Sequence, residues 1–380
     1  MISALPIRVA EERLADLRRR VEAVRMPEAL PGEPWALGTD AAYLAELARY
    51  WRERFEWRRV ESRLDELGSS AWEDGGQRLH LLHRPGAGPR PLPLLLLHGW
   101  PSSVLEYERV IGPLSDPAAH GGNPEDAFEV VAAALPGFGF SSPPPTLEAA
   151  SRWEMAGRLG RLMVDGLGHR RFGVHGTDIG ASVAQWIALE GPGEVAGLHI
   201  APLFARDVFS SHRSDSPEMS SYLRRMQDWR DREGAYGAIQ GSKPATLAAA
   251  LADSPVGLAS WLVEKYRAWS DCEGDLERRF SKDDVLAQIS LYWLSGSIGS
   301  SFLPYYVDRR LGRRPFGRVE APTAVLVGPR DITQPPPREF IEGAFNIQRW
   351  TEMEAGGHFP AFEEPEAFVA DLRSFFRPLR

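Results

Sequence analysis

The segment His175-Gly176-Thr177-Asp178-Ile179-Gly180 sets a carboxylate between two glycines, where an apolar run ends and a helical pattern begins. That is the strand–turn–helix setting of a nucleophile elbow, G-x-Nuc-x-G. The glycines relieve crowding around a strained nucleophile. With Asp178 in place of Ser or Cys, the chemistry is attack on carbon, leaving an ester bound to the chain. On the pentapeptide alone, an Asp capping a helix N-terminus competes with this reading. Ser182, in Gly180-Ala181-Ser182-Val183-Ala184, is a weaker rival because it falls one turn into the helix.

Three further segments supply the partners an Asp nucleophile needs. The run Leu94–Leu97 leads into His98-Gly99-Trp100-Pro101. Backbone N–H groups of Trp100 and Ile179 could together form an oxyanion hole. The Trp100-Pro101 bond is a candidate for the cis form. Near the C-terminus, Gly356-Gly357-His358 puts an imidazole on a flexible loop, as suits a general base. The run Thr323–Val327 leads to Gly328-Pro329-Arg330-Asp331, and Asp331 would hold that imidazole in its working tautomer. The order nucleophile, acid, base along the chain fits this assignment. Taken singly, each segment also reads as an ordinary loop, a structural His or a turn Asp paired with Arg330.

These groups need a scaffold that brings strand ends together. Short apolar runs bounded by Pro and Gly read as strands at Leu79–Leu82, Pro93–Leu97, Phe128–Ala134, Phe172–His175, Leu198–Pro202, Thr323–Val327 and Ile347–Met353. Helical patterns lie between several of them, at Trp153–Leu167 and Ala181–Leu189. The alternation predicts an α/β fold with a mostly parallel sheet covered on both faces. Helices are expected before the sheet, over about residues 7–25 and 40–53. Between about 205 and 318 the strand signal stops and helical patterns take over. Such an insertion would cover the carboxyl edge of the sheet, where ligands bind.

Composition narrows the class. At 380 residues the prior is two to three units of about 150 residues each. A net charge of −8 argues against a nucleic-acid binder. Only three of the 44 basic residues are lysines (Lys243, Lys265, Lys282), which reads as a G+C-rich coding bias. The single cysteine, Cys272, excludes a disulfide framework and a multi-thiolate metal site. Its acidic neighbours disfavour a thiolate, so it is expected to be structural. No apolar run approaches the ~18 residues of a membrane span. The N-terminus lacks the pattern of a signal peptide, so a cytoplasmic protein is the default expectation.

Taken together, the motifs resemble the microsomal-type branch of the epoxide hydrolases. The likeness runs over nearly the whole length. It rests on His98-Gly99-Trp100-Pro101-Ser102-Ser103, Pro136-Gly137-Phe138-Gly139-Phe140-Ser141, the Asp178 elbow, Asp253–Ala259, Leu291-Tyr292-Trp293 through Ser300-Ser301, and Gly356-Gly357-His358-Phe359. It implies an α/β-hydrolase fold with a helical cap and an N-terminal helical extension. The divisions would be 1–75 for the extension, 76–204 and 319–380 for the core, and 205–318 for the cap. It implies that Asp178 attacks an epoxide carbon and that two cap tyrosines, Tyr236 and Tyr305, bind the epoxide oxygen. Tyr306 is adjacent, and spacing alone selects Tyr305. The sequence departs from the family at two points. Ile179 stands where Trp is frequent, and Asp331 where Glu is frequent. A membrane anchor of the animal type is not expected.

The resemblance therefore implies a soluble epoxide hydrolase forming vicinal diols, with no metal and no cofactor. Its partners would be a small-molecule epoxide and water, with no nucleic acid and no membrane; a homodimer is an admissible assembly. Apolar and aromatic cap residues favour a bulky epoxide. Similar proteins act in natural-product pathways, enediyne biosynthesis among them, and in detoxification. The alternatives are a haloalkane dehalogenase, which shares the Asp nucleophile, and a non-catalytic binding protein of the same fold.

Overall fold

A computed structural model describes residues 2–380 apart from 29, 202–207, 212–213, 313 and 333. Pro202, at the end of one predicted strand, and the predicted start of the cap at residue 205 lie outside the described residues.

Among the described residues nine strands form one sheet: β1 (Ile2–Ala4), β2 (Ser69–Asp74), β3 (Gln77–Arg84), β4 (Leu92–Leu97), β5 (Phe128–Ala133), β6 (Arg171–Gly176), β7 (Glu194–Ile200), β8 (Val319–Val327) and β9 (Phe345–Glu352). Their order is β1-β2-β3-β5-β4-β6-β7-β8-β9. The first three are antiparallel, and β5 to β9 with β4 run parallel. Leu94 to Leu97 are fully buried. Helices cover both faces of this strand, so an unbroken apolar run is what it needs. Truncating one such leucine to Ala would cost about 2–5 kcal/mol.

Strands β1 and β2 were not expected from the sequence. Ile2-Ser3-Ala4 is too short to show a period. Ser69–Asp74 mixes polar and apolar residues because it lies near the edge of the sheet. The N-terminal region thus adds two strands to the sheet as well as helices Glu11–Glu22, Ala41–Glu53 and Trp57–Glu66.

The chain turns back across β4, which has β5 on one side and β6 on the other. That is a topological switch point, where a crevice opens beyond the strand ends. Leu97 pairs with Gly176, so the loops leaving β4 and β6 emerge side by side. Over this edge lie the helices Pro217–Glu233, Ala235–Gln240, Pro244–Asp253, Pro255–Trp269, Lys282–Ser295, Ile298–Ser301 and Leu303–Arg310. Three begin at side-chain caps, Ser216, Ser254 and Ser281. The Ser254 hydroxyl accepts from Gly257 N at 2.9 Å. Ser281 and Asp284 form a reciprocal capping box.

Among the described residues no single helix is long and apolar enough to cross a membrane. One pair, Pro244–Asp253 and Pro255–Trp269, meets that test only jointly, across a bend of 117°. The second of these buries Leu258, Leu262, Tyr266 and Trp269 inside the molecule.

Candidate active site

Asp178 is the first residue of the helix Asp178–Glu190 and has φ +49°. Positive φ in a non-glycine residue is strained, and here it thrusts the carboxylate out of the strand–helix turn. Glycine is required around it. A Cβ on Gly99 would lie 2.2 Å from the Asp178 Cβ, and one on Gly180 would lie 2.2 Å from the Leu97 carbonyl oxygen. The two loops can approach only without these side chains.

The His98–Pro101 loop then supplies a donor. Trp100 N–H donates to Asp178 Oδ1 at 3.0 Å, and the Trp100-Pro101 bond is cis. The loop is fixed by His98. Leu135 N donates to His98 Nε2 at 3.3 Å, so Nδ1 carries the proton that meets the Gly99 carbonyl at 2.9 Å. Burial pulls His98 down to about 4, which keeps it neutral. Ile179 lies in the first helical turn, whose N–H groups have no intrahelical acceptor. Its N–H is the expected second oxyanion donor. Ser182 is buried within the same helix, away from the turn.

His358 faces Asp178 from the other side. Its Nε2 stands 3.4 Å from Asp178 Oδ2, and its Nδ1 lies 3.1 Å from Asp331 Oδ1. Burial lowers the imidazole pKa, but Asp331 and Asp178 outweigh it and raise His358 to about 10. The free site therefore holds an imidazolium between two carboxylates. The His358 loop is anchored by backbone. His358 N donates to the Trp269 carbonyl at 2.9 Å, which ties it to a cap helix. Glu363, absent from the sequence reading, accepts from Asp271, Gly357 and Phe359 N–H at 2.7, 3.0 and 2.9 Å. Its signal in the sequence was slight: an acid five residues after the His on an otherwise apolar helix start.

The cap brings the tyrosines in. The Tyr236 ring stacks on Trp100 with centroids 5.2 Å apart, and Tyr305 meets Trp100 edge-on at 6.1 Å. Their hydroxyl groups interact with each other and with the Asp178 charge. Burial first, and then Asp178, push Tyr236 well above the usual phenol value, so it stays a protonated donor. Tyr306 turns elsewhere, under the Arg310 guanidinium. Arg152, in the core helix Arg152–Arg161, forms a buried ion pair with Asp308 on the helix that carries Tyr305. Tyr266 and Tyr292 close the cap on the loop: their hydroxyls donate to the Pro101 carbonyl at 3.1 Å and to the Ser102 carbonyl at 2.8 Å.

The structure thus brings Asp178, His358, Asp331, Tyr236, Tyr305, Trp100 and Ile179 to one buried place. An elbow carboxylate at a switch point under helices is the arrangement of an α/β-hydrolase fold. A family model described as alpha/beta hydrolase fold matches residues 93–365, and one described as Epoxide hydrolase N terminus matches residues 2–107. A Stigmatella aurantiaca protein named "Putative epoxide hydrolase" is 37% identical over 100% of this chain and 86% of its own. Epoxide hydrolase 1 of Sus scrofa is 31% identical over 98% of this chain and 88% of its own. The crystal structure of juvenile hormone epoxide hydrolase from Bombyx mori superposes with a TM-score of 0.83 at 26% identity, covering 100% of this chain and 95% of that one. The chain belongs to the epoxide hydrolase family, and it is an enzyme of that class. The dehalogenase and binding-protein readings give way to this match.

Proposed function

We propose that the enzyme opens a bulky, apolar epoxide through a covalent ester on Asp178. The observation that carries this reading is the unequal setting of the two Asp178 oxygens. Oδ1 is held by the Trp100 N–H, whereas Oδ2 lies toward His358. Oδ2 attacks the epoxide carbon, and the ring carbon–oxygen bond breaks. The oxygen takes a proton from the Tyr236–Tyr305 pair.

The resulting ester leaves Oδ1 as its carbonyl oxygen, already at the oxyanion donors. Alkylation also removes one of the two charges that hold the proton on His358. His358 then returns its proton to the tyrosinate left by ring opening, and the neutral imidazole, oriented by Asp331, serves as the base for water. Hydroxide adds to Cγ, and the backbone N–H groups of Trp100 and Ile179 take the oxyanion. Collapse expels the diol alkoxide, which recovers its proton from His358. When Asp178 ionises again, its proton passes to His358 and restores the imidazolium.

The rings around Trp100 support an apolar, aromatic-tolerant substrate: Tyr236, Trp269, Phe302 and Tyr305 all contact it. A Bombyx mori protein named juvenile hormone epoxide hydrolase is 29% identical over 98% of this chain. A cytoplasmic role in natural-product or detoxifying metabolism belongs to the same proposal. It rests on the family resemblance and on the buried free thiol of Cys272.

Mass spectrometry after mixing with an aryl epoxide tests the mechanism. Asp178→Asn should abolish turnover with folding retained and form no adduct. His358→Gln should accumulate an adduct of substrate mass. Full activity in either variant would sink the ester mechanism.

A further inference from the structure

The turn Val104–Tyr107 follows the oxyanion loop and carries Glu106, whose side chain is buried. Neither of its carboxyl oxygens has a hydrogen-bond partner among the described residues, and the buried Ser102 hydroxyl has none either. The two groups face each other closely enough to interact without a direct hydrogen bond. A gap of that kind between polar groups is what a bridging water spans. A buried carboxyl left without any donor would cost about 1–3 kcal/mol or more. The charges acting on Glu106 include His358 and Asp178, so the cluster adjoins the reacting groups. Two of the tyrosines around it, Tyr266 and Tyr292, spend their protons on the carbonyls of Pro101 and Ser102.

We propose that Glu106, together with Ser102, positions the water that cleaves the Asp178 ester. This rests on the ester mechanism above and adds a residue to its second half. The water oxygen bonds to Cγ of Asp178 while one of its protons passes to His358 Nε2. The Cγ–Oδ2 bond then breaks, and the departing alkoxide takes that proton. Glu106 accepts the second hydrogen of the water through a carboxyl oxygen and neither gains nor loses a proton. Glu106 is a positioning residue in this step; it does not touch the substrate.

Burial pushes Glu106 up to about 8, against the pull of Ser102 and His358. At neutral pH it is largely uncharged, so it can hold water without repelling the oxyanion that forms at Cγ. The sequence offered little sign of this, because one acid in Val104-Leu105-Glu106-Tyr107 reads as a helix-face residue.

Rapid-quench mass spectrometry resolves ester formation from ester hydrolysis, and Glu106→Leu decides between them. Leucine breaks no protein hydrogen bond, so its Tm should not fall. Ester hydrolysis should slow roughly tenfold or more, with ester formation within about threefold of wild type. Glu106→Gln restores an acceptor and should recover hydrolysis to within about threefold. Unchanged hydrolysis in Glu106→Leu, equal slowing of both steps, or no rescue by Gln would overturn the assignment. If Glu106→Leu does not fold, Ser102→Ala decides in the same assay: selective slowing of hydrolysis supports the proposal, and a wild-type rate overturns it. His358→Gln runs alongside. An adduct there, with no selective effect at Glu106, defeats this inference alone; no adduct in His358→Gln defeats the ester mechanism and this inference with it.

Discussion

Two buried imidazole–carboxylate pairs sit among the described residues, and the proposed mechanism uses one of them. His358 meets Asp331 at 3.1 Å, and His199, on β7, meets Asp371 at 3.0 Å. The difference lies at the far nitrogen of each ring. For His358 it faces the elbow carboxylate, Asp178 Oδ2, at 3.4 Å. For His199 it faces a second ring, His175 Nδ1, at 2.8 Å. His199 thus faces Asp371 through Nε2 and the His175 ring through Nδ1. That chain ends inside the protein. Asp371 is pushed up by burial, yet His199, Thr351 and Arg349 together hold it well below the usual carboxylate range. A His–Asp pair is therefore no sign of catalysis by itself; what the second nitrogen meets decides.

The largest effect should separate the two carboxylates. Asp331→Asn removes the charge that sets the His358 tautomer and holds its proton, so turnover should drop roughly 10³–10⁴-fold and Tm should fall as well. Steady-state diol formation and thermal unfolding check it. Next comes the electrophilic side. Tyr305→Phe should slow ester formation about 10²-fold, whereas Tyr306→Phe should stay within about twofold. Equal effects at both positions would dissolve the distinction drawn from the ring packing.

Asp371→Asn should part from Asp331→Asn in activity. Turnover should stay within about threefold, while stability falls by about 3 kcal/mol, because His199 and Arg349 lose a charged partner. Urea unfolding measures it. Inactivation without destabilisation would make the second pair part of the reaction and break the comparison.

The same contrast explains what the sequence could show. Asp178, His98–Pro101, His358 and Asp331 were legible because each stands at the end of an apolar run, marked by glycine or proline that the backbone geometry demands. Gly99 and Gly180 are required by close approach, which is a local property. Tyr236 and Tyr305 lie on cap helices, where aromatic residues ordinarily pack, so only the family resemblance marked them. Glu106 and Glu363 act through burial and loop contacts made by tertiary folding, and no local pattern announces such contacts. The strands β1 and β2 were missed for a related reason: at a sheet edge, length and alternation are too weak to show a period.

The last prediction turns on the sign of two pKa shifts. His358 is raised to about 10, so below an unfolded-state value of about 6.5 both states hold the proton and its stabilisation is complete. As pH rises from there, the unfolded chain releases the proton first, and the stabilisation is lost as pH approaches and passes about 10. Buried His175 is shifted the other way, mainly by desolvation and then by His199, as are His80 and His98. Those rings resist protonation, so they reduce stability as pH falls below about 6.5. Glu106 and Glu363, raised to about 8 and about 7 by burial, lower stability as pH rises toward those values. The difference between wild type and His358→Gln isolates the one ring. Wild-type Tm should fall more steeply than that of His358→Gln between pH 7 and 10. Asp178→Asn, which keeps only Asp331 beside the ring, should give an intermediate slope. Parallel curves in all three proteins would mean that His358 is as closed in as His199, and the contrast between the two pairs would fail.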